Sequence, residues 1–142
     1  MKKLVNTFCE KSYIISSIMG ATKIAIIEDD GVIRQMYRMK FEGEGFEVEV
    51  AENGKDGVAL VQHMKPDIML LDMHMPEMDG VTALTKIRAE KWGKDIPVIV
   101  LTNLGEEESP KNLRALGISG YIVKADFTPR QVVARVKDAL SE

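Results

Sequence analysis

Apolar and polar residues follow two different spacings along this chain, one typical of strands and one typical of helices, and the two alternate. Four short, continuous apolar runs are typical of buried strands, and a fifth run, FEVEV, alternates strictly as a half-exposed strand does. The five runs lie at 23–27, 46–50, 67–72, 96–102 and 120–124. After each run, apolar residues recur every three or four positions, which predicts that a helix follows each strand.

Residues that cap or break helices mark where these helices begin and end. Asp30 and Asn53 precede the first two predicted helices as N-caps, and Pro66 ends the second. The other helices are predicted at 81–92, within 103–117 from a cap at Ser109 followed by Pro110, and at 128–140. Five strand–helix units in succession predict an α/β fold, with a five-stranded parallel sheet and helices on both of its faces.

Residues 1–21 stand apart from this pattern. Lys2 and Lys3 resemble the start of a signal peptide, but polar residues interrupt the apolar stretch that follows. No apolar run in the chain reaches the ~20 residues that a membrane span needs. We expect residues 1–21 to be a poorly ordered or weakly helical extension, and residues 22–142 to form the domain. The alternative for the extension is a helix that contacts a membrane surface or a partner.

Composition narrows the classes of function. Hydrophobic residues make up 45% of the chain and charged residues 29%, as in ordinary globular proteins. The net charge of −3 provides no basic surface for nucleic acid, so we expect no direct nucleic-acid partner. The single cysteine, Cys9, excludes an internal disulfide framework and suits a reducing compartment, so we expect a cytoplasmic protein with no membrane partner.

Polar residues that end the predicted strands indicate where chemistry occurs, because ligands of open α/β sheets bind at the carboxyl ends of the strands. These residues are Glu28, Asp29 and Asp30 after the first strand, Asp72 after the third, Thr102 after the fourth and Lys124 after the fifth. Carboxylates, a hydroxyl group and an ammonium group are therefore predicted to converge on one site.

Such a site suits phosphoryl chemistry with a divalent cation. Carboxylates held close together stay ionised only when a cation lies among them, and an all-oxygen site with few ligands suits Mg²⁺. Asp72, on a central strand beside the metal, can attack phosphorus and form an aspartyl phosphate. Mg²⁺ and Lys124 would neutralise the transferring group, and Thr102 would donate a hydrogen bond to the product.

Four stretches in this order, IIEDD, LLDMHMPEMDG, VIVLT and GYIVK, resemble the receiver domain of two-component response regulators. The resemblance covers residues 22 to about 140. Its most specific element is the third-strand motif, in which an Asp is followed at fixed intervals by Met-Pro and Asp-Gly. The resemblance implies a doubly wound (βα)5, flavodoxin-like receiver fold. It also implies a signalling protein that catalyses its own phosphorylation and dephosphorylation and is not a conventional enzyme.

The resemblance assigns roles to the acidic residues. It implies that Asp72 is the phosphoacceptor and one of the groups that hold Mg²⁺. Glu28 and Asp29 are implied to hold the ion as well, Asp29 more directly, with the main-chain carbonyl of His74 as a further ligand. Asp30 is then a helix cap and not a metal ligand.

The resemblance also makes Thr102 the switch hydroxyl, Lys124 the phosphate-binding lysine and Tyr121 the aromatic residue that turns inward on activation. Two residues depart from the family's pattern. Ala125 stands where a proline usually follows the lysine, so a cis peptide bond is not expected there. Asn103 replaces the small residue that commonly follows the switch hydroxyl, and its side chain could narrow access to the acceptor carboxylate.

We therefore expect a single-domain response regulator that carries no output module. It would accept a phosphoryl group from a histidine kinase or a phosphotransfer protein. It would then signal by docking a downstream target protein on the face formed by its fourth helix, fifth strand and fifth helix. We expect a monomer or a weak, phosphorylation-dependent dimer.

Three alternatives stay open at this point. The protein could act as a phosphate sink. It could be a Mg²⁺-dependent phosphohydrolase that acts on small substrates through the same aspartyl intermediate, although His74 stands where a second catalytic acid would be needed. It could also be a pseudo-receiver, a binding module that is never phosphorylated, although none of the acidic residues or the lysine is missing.

Overall fold

Five parallel strands form one sheet in the computed structural model, which describes residues 21–103 and 112–142. The strands are β1 (Lys23–Ile27), β2 (Glu47–Ala51), β3 (Ile68–Asp72), β4 (Val98–Thr102) and β5 (Gly120–Val123). The helices are α1 (Gly31–Gly43), α2 (Gly54–Met64), α3 (Gly80–Arg88), α4 (Asn112–Ala115) and α5 (Pro129–Ser141). Short 3₁₀ turns follow α3 at Lys91–Gly93 and β5 at Lys124–Asp126. The predicted α/β fold class is confirmed.

The strand order, β2-β1-β3-β4-β5, determines which residues can meet. β3 lies in the centre and pairs with β1 on one side and with β4 on the other. Asp72, the last residue of β3, is therefore flanked by the ends of β1 and β4. β2 is an edge strand, and its Glu47 and Glu49 side chains are exposed, in line with the predicted half-exposed strand.

Alternate residues of each central strand pack into two separate cores, because successive side chains of a strand point to opposite faces of the sheet. On β3, Met69 and Leu71 join a core that reaches α2, α3 and α4, whereas Ile68 and Leu70 join a core that reaches α1 and α5. Burial on both faces explains why the central strands read as continuous apolar runs.

Side-chain caps begin the helices where the sequence predicts them. The carboxylate of Asp30 accepts hydrogen bonds from the Val32 and Ile33 amides at 2.9 and 3.0 Å. Asn53 caps α2 in the same way. Thr128 begins α5 with a reciprocal capping box, in which its partner is Gln131. These caps stabilise the first turns of the helices that face the carboxyl edge of the sheet.

Several predicted boundaries are wrong by a few residues. Phe46 does not start β2, because its amide donates to the Phe41 carbonyl at 3.1 Å instead of to β1. Its ring also packs edge-on against Phe41, with the centroids 5.1 Å apart. Helix α3 ends at Arg88 instead of residue 92, and Arg88 then donates a hydrogen bond to the Gly93 carbonyl at 2.7 Å as the chain folds back. β5 ends at Val123, since Lys124 begins a 3₁₀ turn. β3 and β4 likewise begin at Ile68 and Val98, later than predicted.

Some predictions fall outside the described residues. They include the extension up to residue 20, with Cys9, and the cap at Ser109 with Pro110. The division of the chain at residues 21 and 22 stays a prediction. Within 21–103 and 112–142, no helix combines the length and the apolar character that crossing a membrane requires.

One face of α1 is unusually apolar for a surface. Val32, Met36 and Met39 are 81%, 40% and 64% exposed, and they are the large exposed hydrophobic residues of the described part of the chain. Together with Gly31 and Pro129 they line a shallow groove beside the carboxyl edge of the sheet. An exposed apolar strip of this kind is typical of a surface that binds another molecule.

Candidate functional site

Three carboxylates meet at the carboxyl edge of the sheet, where β1 and β3 end side by side. Each of Glu28, Asp29 and Asp72 places a carboxylate oxygen within 4.8 Å of the other two. Glu28 and Asp72 are buried, at 0% and 2% exposure, whereas Asp29 is exposed. Asp30 does not join this cluster, because its carboxylate is occupied in capping α1.

Lys124 brings the positive charge that the sequence predicts for this edge. Its Nζ lies 2.5 Å from Glu28 Oε1 and 3.4 Å from Asp72 Oδ1. Ala125 follows it within the 3₁₀ turn, and no cis peptide bond occurs among the described residues. The lysine thus reaches the carboxylates although its usual proline neighbour is replaced.

Burial and crowding perturb the carboxyl group of Asp72. Burial raises the pKa of Asp72 to about 8, with the neighbouring Glu28 adding to the rise and Lys124 opposing it. Burial also acts to lower the pKa of Lys124, but the carboxylates of Glu28 and Asp72 outweigh it and the pKa is raised. Without a cation, the site therefore favours the protonated form of Asp72 beside a charged lysine.

Asp29 behaves differently from its buried neighbours. Slight burial acts to raise its pKa, but hydrogen bonding with Asp72 and Glu28 outweighs burial and lowers the pKa. Asp29 is therefore an ionised, accessible carboxylate at the mouth of the site. Exposed and ionised oxygen ligands are the kind that a hard divalent cation meets first.

The residues of the cluster fit a divalent cation. All the donors are oxygen atoms, which suit Mg²⁺. Glu28 Oε1 is buried and, apart from its ion pair with Lys124, has no hydrogen-bond donor among residues 21–103 and 112–142. A buried carboxylate oxygen without a full set of partners is costly unless a further positive group binds it.

Main-chain amides hold the two buried carboxylates in place. The His74 amide donates to Asp72 Oδ1 at 3.3 Å, and the Asp30 amide donates to Glu28 Oε2 at 3.2 Å. The His74 side chain is exposed. That the main-chain carbonyl of His74 binds a metal ion stays a prediction. Each buried carboxylate therefore has one fixed amide donor and one ammonium neighbour.

Capping and close packing explain the Asp79-Gly80 pair that precedes and begins α3. Asp79 caps α3 by accepting a hydrogen bond from the Thr82 amide at 2.8 Å. At Gly80, a Cβ atom would overlap the main-chain carbonyl of Asp72 and the side chain of Met73. Only glycine therefore lets the start of α3 lie directly against the end of β3 at this point.

Thr102 and Asn103 occupy the end of β4, next to β3. Thr102 is buried and Asn103 is exposed. Tyr121 lies further along the sheet on β5, is half-buried, and packs against the core that reaches α2, α3 and α4. The structure thus places the predicted switch hydroxyl at the site and the predicted switch aromatic on the adjacent strand.

Arg34 is a residue of the site region that the sequence analysis missed. It lies on the first turns of α1, and its guanidinium contacts the main chain of the turn that carries Glu28 and Asp29. Helical periodicity reports only which face of α1 is apolar. An arginine six positions after Glu28 carries no distinguishing signal in the sequence.

Comparison with known proteins adds an independent line of evidence. A family model described as the response regulator receiver domain matches residues 24–137. The transcriptional regulatory protein SrrA of Staphylococcus aureus is 39% identical over 120 residues, which are 84% of this chain and 48% of SrrA. The chain therefore spans about half the length of the curated relatives that it matches.

Solved structures show the same similarity. The chemotaxis response regulator CheY4 of Vibrio cholerae is 28% identical, with a TM-score of 0.78 over 84% of this chain and 98% of that one. A CheY-like response regulator receiver domain protein of Methanospirillum hungatei is 26% identical, with a TM-score of 0.78 over 86% and 95% of the two chains.

Proposed function

Because this chain belongs to the response regulator receiver domain family, we propose that it accepts a phosphoryl group on Asp72 and signals through protein–protein contacts. The family is a signalling family of two-component systems and not a family of conventional enzymes. The donor is a histidine kinase or a phosphotransfer protein, and the reaction depends on Mg²⁺. A cytoplasmic location, which a two-component receiver needs in order to meet such donors, is part of the same proposal.

One observation carries this proposal. Asp72 ends the central strand, and its Oδ1 lies 3.4 Å from the Lys124 ammonium inside a cluster of three carboxylates. A carboxylate that is buried, flanked by a cationic side chain and open to a cation is suited to attack phosphorus. The neighbouring Glu28 is fully buried, and Asp72 is the carboxylate that ends the central strand of the sheet.

The transfer step needs little covalent chemistry from the protein. An oxygen of the Asp72 carboxylate forms a bond to phosphorus while the bond from phosphorus to the donor's imidazole nitrogen breaks, and the imidazole leaves with the electron pair. Charge spreads over the three remaining phosphoryl oxygens. Lys124 is in position to neutralise part of that charge.

Glu28, Asp29 and Asp72 would hold Mg²⁺, together with the main-chain carbonyl of His74. When bound, the ion supplies positive charge to the phosphoryl oxygens and favours the ionised form of the acceptor carboxylate. Burial and the neighbouring Glu28 raise the pKa of Asp72, and a bound cation would favour loss of the proton that a nucleophilic carboxylate must give up.

The phosphoryl group would then act on the neighbouring strands β4 and β5. It adds about −1.5 to −2 charge and attracts hydrogen-bond donors. Thr102 is buried next to β3 and would donate to it, and Tyr121 on the adjacent β5 would follow the displacement inward. The face formed by α4, β5 and α5 is the proposed surface for the downstream target protein.

The apolar strip of α1 supports a protein as the phosphodonor. Val32 and Gly31 line it within two residues of the Asp29–Asp30 turn, so a protein bound there would lie beside the opening to Asp72. The relative SrrA is a transcriptional regulatory protein. For residues 21–103 and 112–142 we propose that the partners are proteins, namely the phosphodonor and the downstream target. We also propose that the protein is a monomer or a weak, phosphorylation-dependent dimer.

Intact mass spectrometry after incubation with acetyl phosphate tests the proposal. We expect one added phosphoryl group in the presence of Mg²⁺, none after chelation, and none in the Asp72→Asn variant. An unmodified wild-type chain with both acetyl phosphate and a panel of phosphorylated histidine donors would refute phosphotransfer and favour the pseudo-receiver. Sustained turnover of small phosphoesters would instead favour a phosphohydrolase.

A further inference from the structure

Arg34 ties helix α1 to the turn that carries two of the proposed metal ligands. Its Nη1 donates to the main-chain carbonyl of Glu28 at 2.9 Å and to that of Asp29 at 3.2 Å. Its Nη2 lies 3.9 Å from the carboxylate of Glu52, at the end of β2. The side chain is 22% exposed, so most of it is enclosed between these elements.

The two carbonyls belong to the peptide groups on either side of Asp29. The second of these groups also carries the Asp30 amide, which donates to Glu28 Oε2 at 3.2 Å. Arg34 therefore binds the carbonyl, and the Glu28 carboxylate binds the amide, of the same Asp29–Asp30 peptide group. A charged donor on the carbonyl polarises that peptide and strengthens the hydrogen bond made by its amide.

We propose that Arg34 is a positioning residue for the divalent cation: it fixes the two peptide groups that flank Asp29 and so orients Glu28 and Asp29 toward a common point. This inference rests on the proposed function for the identity of the ion. The planar guanidinium is suited to the task, because one rigid fork spans two carbonyls and a carboxylate.

The charge of Arg34 and its hydrogen bonds have opposite effects on the affinity for Mg²⁺. A positive charge close to the site repels a cation, so its removal alone would strengthen Mg²⁺ binding. Loss of the two carbonyl contacts frees the turn and weakens Mg²⁺ binding, as is usual when the partners of metal ligands are removed. A net loss of affinity on substitution therefore identifies positioning as the larger effect.

Arg38 provides a matched control on the same helix. It lies one turn after Arg34 and pairs with Glu42 at 3.6 Å. Within the described part of the chain, Arg38 makes no hydrogen bond or ion pair with the β1–α1 turn that holds Arg34. Arg34→Met and Arg38→Met remove the same charge from α1. Arg34→Lys keeps the charge but replaces the fork with a single flexible ammonium group.

Isothermal titration calorimetry with Mg²⁺ alone, together with urea unfolding of each variant, tests the inference. We expect Arg34→Met to raise the Kd for Mg²⁺ at least tenfold, the loss typical of removing a group that orients metal ligands. Arg34→Lys should recover only part of that loss, and Arg38→Met should stay within twofold of the wild type. An Arg34→Met or Arg34→Lys protein that binds Mg²⁺ as the wild type does would overturn the inference.

Equal losses in Arg34→Met and Arg38→Met would also overturn it, because they would reflect the charge or stability of the helix. The calorimetric signal does not depend on phosphotransfer. A wild-type protein that binds Mg²⁺ but takes no phosphoryl group would refute the proposed function and leave this inference to be judged on the Kd values. A wild-type protein that does not bind Mg²⁺ would refute the inference itself.

Discussion

The ammonium group of Lys124 is paired with the fully buried carboxylate of Glu28, 2.5 Å away. Its distance to Asp72 Oδ1 is longer, 3.4 Å. The lysine is therefore held more closely by Glu28 than by Asp72. A cation bound to Glu28 would compete for the same oxygen and would free Lys124 to face a phosphoryl group on Asp72.

Removal of this lysine should destabilise the protein. In Lys124→Met, Glu28 keeps its buried position but loses its positive neighbour, and breaking a buried pair in this way typically costs about 3–5 kcal/mol. We expect a loss of this order in the free energy of unfolding, measured by urea denaturation without Mg²⁺. Saturating Mg²⁺ should restore part of the loss, because it supplies the missing charge.

Lys137→Met is the matched control for that measurement. Lys137 pairs with Glu44 at 2.7 Å, and both side chains are largely open to solvent. Exposed ion pairs contribute about 0–1 kcal/mol, so this variant should lose little stability and gain nothing specific from Mg²⁺. Similar losses in the two variants would contradict the special position of the Lys124–Glu28 pair.

Binding of Mg²⁺ should release a proton. Because burial raises the pKa of Asp72 to about 8, the free protein carries a proton on this carboxyl group at neutral pH. The ion must displace that proton, so its affinity should increase with pH, at most about tenfold per unit, and level off above pH 8. Calorimetry at pH 7 in two buffers of different ionisation enthalpy would measure the proton directly.

The same carboxyl group predicts how stability depends on pH without Mg²⁺. The folded pKa lies above the unfolded value, so the folded state binds more protons than the unfolded state between about pH 4 and pH 8. The contribution of Asp72 to the free energy of unfolding should therefore decrease as pH rises through this window. The Asp72→Asn variant should lose that component, and an unchanged slope in Asp72→Asn would contradict the assignment.

Charge on the apolar strip of α1 should impair transfer from a protein donor only. Val32→Asp places a carboxylate on the most exposed residue of the strip, where a bound protein would have to bury it at a cost. If Val32 is one of the minority of interface positions that cost more than about 1 kcal/mol when changed, phosphorylation by a phosphohistidine protein should slow about fivefold or more. Phosphorylation by acetyl phosphate should be unchanged, and equal slowing with both donors would argue against docking on this strip.

Arg88 should matter for stability and not for chemistry. Its guanidinium donates to the carbonyls of Gly93 and Leu116 at 2.7 Å and to that of Gly117 at 3.2 Å. Arg88→Ala removes all three charged donors, for an expected loss of about 2–4 kcal/mol in the free energy of unfolding. Phosphorylation by acetyl phosphate should persist below the melting temperature, and a comparable loss in Arg38→Ala would contradict this explanation.

The parts of the structure that depend on local chemistry could be predicted from the sequence. Asp30 and Asn53 follow strands and precede apolar helical spacing, which defines them as caps without knowledge of the tertiary fold. The convergence of Glu28, Asp72 and Lys124 follows from a general property of parallel sheets, in which the carboxyl ends of all strands lie on one edge.

The parts that depend on long-range contacts could not be predicted. Phe46 fits a strand by spacing, but its amide donates to the Phe41 carbonyl and so does not join the β1–β2 ladder. At the end of α3, Arg88 donates hydrogen bonds to the carbonyls of Leu116 and Gly117, almost thirty residues further along the chain. Arg34 acts through main-chain atoms of other residues, and no residue pattern encodes such a contact.

The outer edge of β2 has a consequence for behaviour at high concentration. An edge strand presents unpaired main-chain groups, to which a strand from another molecule can add. Glu47 and Glu49 project from this edge strand into solvent. A second copy that approached by the same edge would bring these like charges together, so the alternation that first marked this segment as half-exposed also protects the protein from edge-to-edge aggregation.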